Sequence, residues 1–108
     1  MNEDLSFRKV QENVAQMTEK YNLEISPELR YIDLTSEVGE LGKEILLSTE
    51  YGKNQFSATD NLESEIGDTL YSLICIANSL DINLSNALIK VLQKYEKRFF
   101  EKGNIGSE

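Results

Sequence analysis

The sequence predicts an all-α fold in which four helices make up one protomer. Three observations carry that expectation. Apolar residues recur every three or four positions through most of the chain, the spacing of one helical face. A single proline, Pro27, interrupts 108 residues. Strand-like alternation is scarce, and strong helix formers dominate. One domain spanning residues 1–108 is expected at this length, and a small helical domain commonly completes its core by oligomerising.

The first helix is expected from Asp4 to Tyr21, where Phe7, Val10, Val14, Met17 and Tyr21 make one apolar stripe. Ser26 is a good N-cap and Pro27 suits a first helical position, so a second helix opens there and continues to about Ser48. Leu34, Val38, Leu41 and Ile45 form its stripe. Tyr51 to Thr59 reads as a polar loop. Asp60, with Glu63 three residues on, predicts a capping box for a third helix reaching Leu80. From Leu70 to Ala77 that helix is apolar nearly all round, as a buried helix is. The fourth helix is expected from Ser85 to Glu101, with Leu88, Val91, Leu92, Tyr95 and Phe99 facing inward and Gly103 ending it; residues 103–108 read as a mobile tail.

Composition excludes several function classes. The net charge is −8, which argues against a general nucleic-acid binder, since such a binder needs a basic surface to neutralise phosphates. It contains no histidine, which removes Ser-His-Asp and Cys-His nucleophile systems and the Glu-x-x-His ligand sets of di-iron bundles. The lone Cys75 cannot form an intramolecular disulfide and fits a reducing cytoplasm. No apolar stretch approaches a membrane span, and Met1 to Val10 is not a signal region. The remaining chemistry is that of carboxylates with hard cations.

Those carboxylates are patterned. Glu37 and Glu40 lie three apart on the second helix, as do Glu65 and Asp68 on the third. Residues three apart share a helix face. Asp33, Glu37, Glu40 and Glu44 form one acidic stripe flanked on both sides by apolar residues, so it cannot easily be turned to bulk water. Glu65, Asp68, Ser72 and Ser79 make a narrow polar strip on an otherwise apolar helix. Stacking the two strips gathers like charges, which repel and are costly to bury. A divalent cation such as Mg²⁺, with Mn²⁺ as a substitute, resolves both costs, because it takes oxygen ligands and shares its shell with phosphates. A glycine sits inside each pair, Gly39 and Gly67, and Gly42 follows the first; each costs about 1 kcal/mol in a helix, which predicts close helix approach.

The two motifs, Glu37-Val-Gly-Glu40-Leu and Glu65-Ile-Gly-Asp68-Thr-Leu-Tyr, resemble those of the MazG-like nucleotide pyrophosphohydrolases, within the wider all-α NTP pyrophosphohydrolase superfamily. The similarity covers roughly Pro27 to Phe99. The resemblance implies an oligomeric helical bundle, a homodimer or homotetramer. It implies Mg²⁺ held by Glu37, Glu40, Glu65 and Asp68, and hydrolysis of a nucleoside triphosphate to monophosphate and pyrophosphate in house-cleaning of nucleotide pools. Many members open the first motif with two glutamates, whereas this chain has Ser36 at the first position.

Phosphoryl chemistry needs charge neutralisation, an in-line nucleophile and a stabilised leaving group. Glu37 or Glu40 could accept the proton of the attacking water, and the sequence leaves the choice open. Lys90, Lys94, Arg98 and Lys102 recur every four residues on the fourth helix. Lys94-Tyr95 and Arg98-Phe99 match the family's Lys-aromatic and Arg-aromatic pattern, which implies phosphate contacts for Lys94 and Arg98 and a weaker candidate in Lys90. Tyr71 and Asn78 lie away from the Glu65/Asp68 strip and are candidates to line a base pocket or face a partner subunit. Phosphoribosyl-ATP and dUTP or dCTP are alternative substrates, and a non-catalytic helical partner-binding module is the alternative of a different class.

Overall fold

In a computed structural model, which describes residues 6–103, the chain forms four α-helices and no strand among those residues. They are α1 (Phe7–Lys20), α2 (Pro27–Leu47), α3 (Leu62–Ser79) and α4 (Leu84–Lys102). The expected start at Asp4 and the tail beyond Gly103 lie outside the described residues.

The helix ends follow from local chemistry. Ser6 and Ser26 accept hydrogen bonds from Lys9 N (3.2 Å) and Leu29 N (3.3 Å), so each satisfies one orphan donor of a first turn. Asn83 does the same for α4 through Asn86 N at 2.9 Å. Helices α1 and α3 stop at residues that tolerate a left-handed backbone, Asn22 (φ 55°) and Asp81 (φ 56°). Each reversal is closed by a backbone bond, Leu23 N to Thr18 O and Ile82 N to Ala77 O, both 2.8 Å. Gly103 ends α4 in the same conformation, at φ 73°. The start of α3 differs from the expected Asp60/Glu63 capping box: α3 begins at Leu62, with Asn61 at the cap making no side-chain bond. Thr59 is pinned to α2, and its carbonyl accepts from Leu62 N at 3.2 Å, so a backbone turn opens the helix.

Helices α2 and α3 form an antiparallel hairpin, since residues progressively later from Thr59 in the preceding loop through α3 meet residues progressively earlier on α2. Helix α1 packs on α3, and α4 packs on α1. Gln11 ties three of them together: its amide donates to Asn78 Oδ1 (3.0 Å) and Ile82 O (2.9 Å), and its Oε1 accepts from Leu84 N (2.9 Å). As expected, α3 is the most buried helix, through Ser72, Ile74, Cys75 and Ala77. No single helix among the described residues is long and apolar enough to cross a membrane.

The apolar stripes on α2 and α4 are only partly covered. Leu34 and Leu41 are half-buried, but Val38 and Ile45 are exposed. Of the α4 residues expected to face inward, only Val91 is half-buried, whereas Leu88, Leu92, Tyr95 and Phe99 are exposed. The reason is geometric: α4 leaves α3 at 103°, so its apolar face swings away from the hairpin. The radius of gyration is 17.0 Å, against about 13 Å for a compact domain of this length. The glycine expectation is also corrected. A Cβ at Gly39, Gly42 or Gly67 would meet nothing within 4 Å, so no helix of the same chain approaches those faces closely.

Candidate active site

The α2–α3 hairpin brings the two acidic motifs face to face. Glu37, Glu65 and Asp68 each offer a carboxylate oxygen, and these oxygens lie within 4.8 Å of one another. Glu37 and Glu65 are half-buried and Asp68 is exposed. Thr69 sits at the crossing: its hydroxyl donates to Glu65 O at 2.8 Å and reaches Glu37 O at 3.4 Å. It joins the two helices at the level of the carboxylates.

Gathering these charges has the expected electrostatic consequence. Burial raises the Glu65 pKa from its ordinary value, and the neighbouring Asp68, Glu37, Glu40 and Glu44 add to the rise in that order. A raised folded-state pKa means that the native protein holds a proton where the unfolded chain has already lost one. Stability therefore falls as pH rises through the window above the ordinary glutamate value. In chelator, the melting temperature is expected to drop as pH rises across that window, and Glu65→Gln is expected to be more stable than wild type at neutral pH with a flatter profile. Thermal melts from acid to neutral pH check this, and a destabilised Glu65→Gln at neutral pH contradicts it.

The same chemistry sets what the cluster can hold. Three carboxylates from two helices, with no histidine and no thiolate among them, form a hard oxygen donor set suited to Mg²⁺ or a similar cation. The donors are incomplete for such an ion, which leaves room for waters and phosphate oxygens. Fit and charge agree, because the cation would offset the like-charge repulsion that adds to the effect of burial in raising Glu65.

The rest of the acidic stripe divides by role. Asp33 faces Arg30 at 3.7 Å. Glu40 is exposed and lies outside the three-carboxylate cluster, although its charge reaches Glu65. Glu44 is half-buried and accepts a 2.7 Å hydrogen bond from the Thr59 hydroxyl.

The sequence profile of the MazG nucleotide pyrophosphohydrolase domain matches residues 26–100, a span that takes in both acidic motifs and most of α4. The chain belongs to that family. It is 39% identical over 93 residues to protein YpjD of Bacillus subtilis (strain 168), covering 83% of this chain and 79% of that protein. Two solved structures share the fold. The Bacillus-conserved MazG protein, a nucleotide pyrophosphohydrolase, superposes with a TM-score of 0.74 at 32% identity, over 86% of this chain and 92% of that one. The crystal structure of YPJD from Bacillus subtilis gives 0.76 at 34% identity, over 94% and 96% of the two chains. This MazG-family chain is thus a hydrolase acting on nucleotides.

The other candidate residues are placed as follows. Lys94 and Arg98 flank the Tyr95 ring, at 5.2 and 6.0 Å from its centroid. They lie with Lys90 on α4, whose main packing is against α1 rather than the acidic hairpin. The Asn78 amide donates to Gln11 O at 3.1 Å while its oxygen accepts from Gln11, so it is engaged within the chain. Tyr71 lies 5.6 Å from the Arg30 guanidinium. Burial, followed by the neighbouring Cys75 thiol, pushes the Tyr71 hydroxyl pKa up, and Arg30 pulls it the other way. Asn78, Arg30 and Cys75 line a cavity of about 350 Å³ between α1 and the α2–α3 hairpin.

Sequence reasoning missed Arg30. It is buried, donates to Leu23 O, faces Asp33 and lies over Tyr71. A hydrogen bond to a charged group is worth about 1.5–3 kcal/mol. The one signal in the sequence was the i,i+3 spacing to Asp33, which any surface pair shares.

Proposed function

We propose that this MazG-family chain is a Mg²⁺-dependent nucleoside triphosphate pyrophosphohydrolase that yields monophosphate and pyrophosphate and serves to clear nucleotide pools. The observation that carries the reading is the cluster of Glu37, Glu65 and Asp68, with oxygens within 4.8 Å of one another, on the two motifs that the family profile spans. Glu40, on the next turn of α2, is the fourth ligand in this reading. When bound, the cation neutralises the phosphates and polarises the attacking water.

The chain's own groups supply the remainder. Glu37, Glu65 and Asp68 fix where the triphosphate can sit, and Thr69 holds their helices in register. Water adds across the α–β anhydride while pyrophosphate leaves, and Glu37 or Glu40 accepts the proton. Lys94 and Arg98, with Lys90, offset charge on the departing pyrophosphate. In this reading Tyr71, with Asn78 as a weaker candidate, contacts the base.

One chain does not assemble that whole set, and a second copy is part of the proposal. Helix α4 leaves a stripe of Leu88, Leu92, Tyr95 and Phe99 exposed, and α3 leaves Ile66, Leu70 and Leu73 exposed. Both follow the spacing of one helical face. A homodimer or homotetramer buries these faces. In this reading the chain is one domain throughout and binds neither a nucleic-acid polymer nor a membrane.

Pyrophosphate release from a panel of ribo- and deoxynucleoside triphosphates, with phosphoribosyl-ATP included, tests the function. Release that requires Mg²⁺ or Mn²⁺ is the expected result. The panel also separates a general enzyme from one restricted to dUTP or dCTP. No release from any member, in protein that is folded and loaded with cation, removes the reading.

A further inference from the structure

The α2–α3 loop returns to α2 through a small polar clasp. Ser48, the buried C-cap residue of α2, donates from its hydroxyl to Glu44 O at 2.8 Å. Its carbonyl accepts from Ser57 N at 2.7 Å, and its hydroxyl accepts from Thr59 N at 3.4 Å. Thr59 then points its own hydroxyl back at Glu44 Oε2, 2.7 Å away. The clasp therefore ends on a carboxylate rather than on backbone. Glu44 is one turn beyond Glu40 and two beyond Glu37, on the same face of α2.

A loop needing only a mechanical anchor has that anchor in Ser48, whose two backbone partners already close the return. The Thr59 hydroxyl adds a fixed direction to one oxygen of a half-buried carboxylate. Outer groups of this kind commonly orient the shell of a bound cation.

We propose that Glu44, aimed by Thr59, is a positioning residue of the cation site: one oxygen is held by Thr59 and the other accepts hydrogen bonds from the hydrated cation's outer shell. This rests on the cation-dependent reading above. It adds a carboxylate outside the two family motifs and gives the α2–α3 loop a part in holding it.

The test is Mn²⁺ binding to the full chain by calorimetry, without nucleotide, alongside melting temperature. Glu44→Gln, which keeps the shape and loses the charge, is expected to weaken Mn²⁺ binding by about 10-fold, within the usual outer-shell range. Thr59→Val is expected to weaken it in the same direction, and Thr59→Ser to restore it, because serine keeps the hydroxyl. Lowered melting temperatures with wild-type Mn²⁺ affinity in both Glu44→Gln and Thr59→Val would mean a purely structural clasp and would overturn the proposal. Wild-type protein that binds Mn²⁺ but releases no pyrophosphate sinks the functional reading alone, and Glu44 is then judged on the calorimetry. Wild-type protein that binds no Mn²⁺ overturns both.

Discussion

Replacing Asp68 with asparagine, or Glu37 with glutamine, is expected to lower pyrophosphate release by at least about a hundredfold, since removing a ligand exceeds the usual outer-shell effect. That corresponds to about 2.7 kcal/mol of transition-state stabilisation. Both substitutions keep side-chain volume and remove charge from a cluster whose members lie within 4.8 Å of one another. The fold should not suffer. Without cation, each loss relieves the repulsion that raises Glu65, so the melting temperature in chelator should hold or rise. Activity and stability therefore move apart, which separates a site residue from a structural one. Turnover near wild type in both variants would remove these carboxylates from the site.

The second large effect concerns assembly. Leu92→Glu is expected to shift the protein to a smaller species in size-exclusion chromatography and to lower its melting temperature. Leu92 is exposed in one chain and sits in the middle of the α4 stripe between Leu88 and Tyr95. Burying a leucine is worth roughly 1.5–3 kcal/mol, and a two-fold interface counts it twice. In wild type the melting temperature should rise with protein concentration, as it does when the folded state is an oligomer. A wild-type monomer with a concentration-independent melt would contradict this. Activity should fall with the oligomer, because α4 carries Lys94 and Arg98 and packs chiefly against α1 within its own chain.

Much of this was legible in local sequence. Ser26-Pro27 fixed the start of α2, because a cap and a first-turn proline act within a few residues. The third helix was recognisable as the buried one, since its apolar run leaves little polar face. The start of α3 was not legible. The Asp60/Glu63 pair had the right spacing, but Thr59 is drawn to Glu44 and Ser48, fifteen and eleven residues earlier in the chain, and a backbone turn takes over the cap. Inward faces on α4 were misjudged for a related reason. Periodicity identifies an apolar face without saying whether the same chain covers it, and the 103° departure of α4 leaves it uncovered.

The candidate site divides along the same line. The sequence by itself determined which residue types were available and how they were paired. With no histidine, four carboxylates at i,i+3 spacing on two helices pointed to hard-cation chemistry, because helical spacing is a local property. Only the tertiary structure decided which of them converge. The antiparallel hairpin sets Glu37 against Glu65 and Asp68, leaves Glu40 in solvent, gives Asp33 to Arg30 and gives Glu44 to Thr59. A helix face is shared by every residue on it, but the register of a second helix against that face depends on contacts far apart in the chain, and no local pattern records them.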